Sequence, residues 1–163
     1  MKFSLLFLLL LFSCQESDSS LSSETLLGNL NPDLDNDANT VELMTLINNH
    51  RIDLGLNPLT LVSGLNTIVQ NHSQNMANGS VAFGHSGFSG RCSSSYGVLG
   101  GGNLCAENVA LGQKNAQAAF DAWMNSSGHR ANIEKARVTH TGFGYAKSSV
   151  GTYYWTQIFI EKN

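Results

Sequence analysis

Arg137–Ile160 reads RVTHTGFGYAKSSVGTYYWTQIFI. Its two ends, Arg137–Ala146 and Thr152–Ile160, are rich in β-branched and aromatic residues, the types that suit a pleated, half-buried surface. Lys147-Ser148-Ser149-Val150-Gly151 between them is a loop of hairpin length, so the spacing predicts two antiparallel strands. In the second strand Tyr154, Ile158 and Ile160 fall on one face and Tyr153, Trp155 and Phe159 on the other. Both faces are apolar, which requires helices on both sides. The expectation is an α+β fold, a three-layer α-β-α sandwich with an antiparallel sheet between helices. His140, in the first strand between threonines, reads as structural or surface.

Upstream the apolar period changes to that of helices. One helix is expected from about Asn39 to Leu54, with Thr40 as cap and Leu43, Leu46, Ile47, His50 and Leu54 on one stripe, closed by Gly55. A second runs from Thr60 or Ser63 to about Asn78, with Leu65, Ile68, Val69, His72, Ser73 and Met76 on one face. His50 and His72 ride on these apolar faces, where a packed, hydrogen-bonded histidine outweighs a catalytic one. Between Gly79 and Gly102 recurrent glycines predict a loop. Its GVLGGGN segment is no phosphate loop, because no Lys-Ser/Thr follows. A third helix carries Ala116, Ala119, Phe120 and Trp123 at one-face spacing, and Gly128 is expected to end it in a left-handed turn that leaves His129 projecting from a loop.

Glu107 in CAENVA, His85 in GHSGF and His129 in SSGHR are the candidate site, each expected on an irregular segment. Two imidazoles and a carboxylate can hold zinc with one position open for water, or stand as a metal-free polar cluster. Nothing independent supports hydrolysis: HExxH and GxSxG are absent, and Ser86 beside His85 reads as a loop residue bonding its own backbone.

The 163 residues suffice for one domain. From residue 38 onward eight scattered bases face six acids, without the concentrated basic face a nucleic-acid partner needs. Before that, every charge between Lys2 and Arg51 up to residue 37 is acidic. Residues 1–13 read as an export signal, too short to span a bilayer as a mature helix. Leu11-Phe12-Ser13-Cys14 resembles the lipobox of bacterial lipoproteins, with Cys14 as the lipidated residue; an ordinary secretory signal is the alternative. Residues 14–39 are then expected to form a disordered acidic tether and 40–163 the domain, held on the bacterial outer membrane or cell surface, or secreted. Acyl chains supply about 0.8 kcal/mol per buried CH₂. With Cys14 on lipid, Cys92 and Cys105 remain, and a bridge between them would hold Glu107 against the segment carrying His85; two free thiols are the alternative.

NNHRIDLGLNPLTL, HSQNMA, GHSGF, AENVA, AWMNSSGHRANI, GFGYA and YYWTQIF, in this order, resemble the CAP superfamily of cysteine-rich secretory proteins, antigen 5 and plant pathogenesis-related proteins, in its bacterial secreted branch. The resemblance covers about residues 41 to 160. It implies an α-β-α sandwich with a cleft of two histidines and two acids, of which His85, Glu107 and His129 match by motif while the fourth position is Ser126. It also implies divalent-metal binding through the two histidines in some members, and association with sterols and other lipids. The expected function is a lipid-anchored binding module whose cleft takes a divalent metal, zinc or another, a small apolar ligand or an envelope component. A weak metal-assisted hydrolase with Glu107 as base or third ligand is the alternative.

Overall fold

The computed structural model describes residues 37–163. The expected export signal, the expected lipidated Cys14 and the expected tether up to residue 36 lie outside the described residues. In chain order the elements are α1 Ala38–Asp53, β1 Thr60–Leu61, α2 Ser63–Ala77, α3 Phe88–Leu99, β2 Leu104–Leu111, α4 Ala116–Met124, α5 Ser127–Ile133, β3 His140–Lys147 and β4 Tyr153–Glu161. The sheet order is β1-β3-β4-β2. The β3–β4 hairpin pairs antiparallel as expected, and β2 joins β4 antiparallel. The expectation of an all-antiparallel sheet is corrected at β1, which pairs parallel with β3.

The two apolar faces of β4 each carry a core. Trp155 and Phe159 pack with Leu43 and Ile47 of α1, Ala119 and Trp123 of α4 and Ile133 of α5. Ile158 and Ile160 pack with Leu65 and Val69 of α2, joined by Tyr96 and Leu99 of α3. The alternation of the strand therefore produces three layers: α1, α4 and α5 on one side, α2 and α3 on the other. A Cβ on Gly144 would lie 2.5 Å from the Cα of Gln70, and one on Gly142 would lie 2.5 Å from the Leu65 carbonyl carbon. The GFG of β3 is thus what lets α2 press directly on the sheet.

That closeness also solves an edge problem. β1 covers only two residues of β3, and beyond it the outward-facing N–H groups of Phe143 and Tyr145, which no strand among the described residues pairs, donate to Asn66 Oδ1 (2.7 Å) and Gln70 Oε1 (2.9 Å) on α2. α1 begins at Ala38, capped by Asp37, whose carboxylate accepts from Thr40 N–H. Thr40 is inside the helix and buried rather than its cap. Leu54 ends the stripe exposed, because the chain leaves the helix there and Gly55 turns it in the left-handed region (φ +73°). Arg51 on α1 is fully buried and bonds the carbonyls of Asn57, Ile133, Lys135 and Val138, tying α5 and the following turn to α1. Burial pushes its pKa down.

Three expectations are corrected. The Gly79–Gly102 stretch is not all loop: α3 occupies Phe88–Leu99, bracketed by left-handed Gly87 and Gly100, and Gly90 and Gly97 are carried inside it. CAENVA is not irregular but lies in β2. Gly128 has no left-handed conformation; α4 stops at Met124, and Gly128 and His129 sit in the first turn of α5.

Candidate functional site

Glu107 stands opposite Ile158 in the β2–β4 register, so its side chain points to the α2/α3 side of the sheet. Its carboxylate is 1% exposed. Arg91 on α3 grips it with two bonds, Nε to Oε2 at 2.6 Å and Nη2 to Oε1 at 2.8 Å, and donates from Nη1 to the Ser86 carbonyl at 2.7 Å. This bidentate, charge-assisted geometry is the strong form of the pair. The Cys92–Cys105 disulfide, one residue beyond Arg91 and two before Glu107, fixes α3 to β2 with a Cα separation of 5.9 Å. The expected bridge is present and does hold the acid against the segment carrying His85.

His85 Nδ1 donates to Glu107 Oε1 at 2.8 Å, since a carboxylate can only accept. That bond fixes the tautomer and leaves Nε2 available on a ring that is 51% exposed. The loop beneath is held by His72, whose Nε2 donates to the Gly84 carbonyl at 2.9 Å. Burial lowers the pKa of His72, which is therefore a neutral latch of the loop.

His129 approaches from the opposite layer. Asn108, on the other face of β2, donates to its carbonyl at 3.1 Å, and Asn132 on the next turn of α5 donates to Asn108 Oδ1 at 2.9 Å and to the Glu107 carbonyl at 3.3 Å. Burial lowers the His129 pKa, with a smaller lowering from the charge of His85, so the two rings share one electrostatic neighbourhood. His85 and Glu107 are in direct contact at the outer edge of β2, while His129 is tied to the same strand through its backbone carbonyl on Asn108. A cleft of about 340 Å³ beside His85 and Glu107 is lined by His85, Phe88, Cys105, Ala106, Glu107 and Asn132. A second cleft of about 290 Å³ is lined by His72, Ser86 and Arg91 among others.

Ser86 enters the site through its carbonyl, and Ser126 sits at the N-cap of α5. The other histidines have structural partners: His50 with Glu134 at 3.0 Å and His140 with the Thr139 hydroxyl at 2.8 Å. Arg91, Asn108 and Asn132 were not singled out from the sequence. Only Arg91 had a signal there, its place beside Cys92.

The donor set decides what ion could fit. Both oxygens of Glu107 are taken by Arg91 and His85, and no group of three His, Cys, Asp or Glu side chains suited to a metal occurs among the described residues. His85 Nε2 is the imidazole nitrogen that the site leaves free, with Glu107 behind His85 as orienter. The residues do not fit a zinc centre with three protein ligands.

The model of the cysteine-rich secretory protein family, CAP, matches residues 44–159. The uncharacterized protein YkwD of Bacillus subtilis (strain 168) is 50% identical over 56 residues, 34% of this chain and 21% of that protein. The crystal structure of an extracellular protein containing an SCP domain from Bacillus anthracis aligns with a TM-score of 0.62 at 26% identity, over 74% of this chain and 39% of that one. An outer surface protein from Borrelia burgdorferi shares the fold with a TM-score of 0.65 at 19% identity, over 79% of this chain and 96% of that one. No helix among the described residues is long and apolar enough to cross a membrane.

Proposed function

This chain belongs to the cysteine-rich secretory protein (CAP) family, and from that premise we propose that it is an exported, lipid-anchored binding module whose cleft takes a divalent cation through His85 and His129, or a small ligand against them, rather than an enzyme. The observation that carries the reading is the commitment of Glu107. A general base needs a free oxygen within reach of a water, and a third metal ligand needs a free lone pair. The Glu107 carboxylate is instead 1% exposed, with three of its roughly four lone-pair sites taken by Arg91 and His85. This speaks against the hydrolase alternative, which gives Glu107 one of those two tasks. A bound cation would supply a positive centre at the mouth of the cleft. The chain's own contribution is to present His85 Nε2 by holding Nδ1 on Glu107, and to keep His129 neutral by burial.

Export is supported by the extracellular SCP-domain protein and the outer surface protein that share the fold. Anchoring rests on Cys14 after the apolar run. Zinc titration by calorimetry at pH 7 tests the site: His85→Ala and His129→Ala each abolish binding, His72→Ala and His140→Ala retain it, and Glu107→Gln weakens it less than either histidine loss. Binding that survives loss of both His85 and His129 refutes the cleft assignment. Membrane fractionation tests the anchor separately, with Cys14→Ala expected to release or misprocess a folded domain. A Cys14→Ala protein that is processed and retained as before removes the lipid.

A further inference from the structure

We infer that the ligand of this cleft is an extended peptide that adds a strand to the outer edge of β2, an inference that rests on the reading of the cleft as a binding site and names its ligand class. β2 is the last strand in the order β1-β3-β4-β2, so one side of its backbone faces away from β4. The Gly112 N–H donates to the Tyr153 carbonyl, which sets the alternation: Leu104, Ala106, Asn108 and Ala110 turn their backbone groups toward β4, and Cys105, Glu107 and Val109 turn theirs outward.

Part of that edge is already sealed. Val109 C=O accepts from Trp123 Nε1 at 3.2 Å, and Glu107 C=O accepts from Asn132 Nδ2 at 3.3 Å. The other half is open. Among the described residues no strand pairs with β2 on its outer side, and the Cys105 carbonyl and the N–H groups of Cys105 and Glu107 meet no hydrogen-bonding partner. Natural edges are blunted by proline, lysine or an inward charge. Leu104–Glu107 has no proline or lysine, and its one charge is consumed by Arg91.

The cleft lies over this open segment. Cys105, Ala106 and Glu107 are its floor, His85 and Phe88 one wall and Asn132 the other. Three residues of extended chain, about 10 Å at 3.3 Å per residue, match the run from Cys105 to Glu107. A peptide residue paired with Cys105 would give its N–H to the Cys105 carbonyl and accept from the Cys105 N–H; a residue two positions away would accept from the Glu107 N–H. Alternate side chains would then meet His85 and Phe88 on one side and α5 on the other. An apolar ligand without hydrogen-bonding groups would leave these donors unsatisfied, which favours a peptide over a sterol or an acyl chain. Main-chain bonding makes recognition tolerant of sequence.

The test is residue-resolved amide exchange on the full-length protein in chelator-treated buffer, with a saturating degenerate pool of capped hexapeptides. The Cys105 and Glu107 amides are expected to exchange at least about tenfold more slowly, while Ala106, already paired to β4, is unchanged. A pool N-methylated at every second amide keeps one bonding edge and should still protect; a pool N-methylated at every amide should not. No slowing at Cys105 and Glu107, or equal slowing by the fully methylated pool, overturns the inference. Zinc titration of the same sample separates the two readings. Zinc binding through the histidines without amide protection keeps the metal site and removes the peptide, and the converse removes the metal and keeps the peptide.

Discussion

Replacing Arg91 by methionine tests the pair on which the site is built. The stem of the side chain keeps its approximate volume, while Glu107, 1% exposed, loses two of its three charged bonds. Breaking a buried ion pair by removing one partner costs about 3–5 kcal/mol, because the remaining charge has neither water nor a counter-ion. His85 stays in contact with Oε1, which places the expected loss near the lower end, about 3 kcal/mol. For a domain of this size that corresponds to a melting temperature lower by roughly 10 °C. Urea unfolding of the oxidised protein at pH 7 measures it, with Arg91→Met, Glu107→Gln and the double variant as a cycle. The double variant removes both charges and should recover part of the loss, with a coupling of about 2 kcal/mol. The free carboxylate in Arg91→Met also becomes available as a metal ligand, so zinc affinity should rise as stability falls. A cost below about 1 kcal/mol, or the same cost with and without Glu107, refutes the claim that Arg91 holds the acid in place.

Gly144→Ala puts a methyl 2.5 Å from the Cα of Gln70, which cannot yield without moving α2 off the sheet; overpacking of this kind costs about 1–3 kcal/mol, readable as a lower urea midpoint at unchanged slope. An unchanged midpoint would show that the layer has slack. The pH dependence has a definite sign. His72, His129 and His140 all have folded pKa values lowered from 6.5 by burial, so below pH 6.5 the unfolded chain takes up protons that the folded one refuses. Stability is therefore full above pH 6.5 and falls as the pH drops from there through the lowered values. Unfolding titrations between pH 7.5 and 5 check this, and His72→Gln should flatten the slope.

What could be read from the sequence follows the range of the forces involved. The hairpin was legible because alternation is local and both faces of Tyr153–Glu161 announce a covering layer. α2 was legible because Leu65, Val69, His72 and Met76 all lie buried on one side of it. α3 was not, because FSGRCSSSYGVL has poor helix propensity and is held by the bridge at Cys92 and by Tyr96 and Leu99 against the sheet. β2 was missed for a related reason. Glu107 and Asn108 are polar residues in a buried strand, tolerated only because Arg91, His85 and Asn132 satisfy them from 16 to 25 positions away in the chain. Periodicity carries no trace of such partners. The candidate residues His85, Glu107 and His129 could be named by motif, but whether the carboxylate was free to act could not, and that is the property on which binding or catalysis turns. One covalent constraint did contain the answer. With Cys92 bridged to Cys105, the residue before the first cysteine and the residue two past the second are brought within side-chain reach of each other. Those residues are Arg91 and Glu107, a long base and a buried acid, and in a low-dielectric strand such a pair has every reason to close.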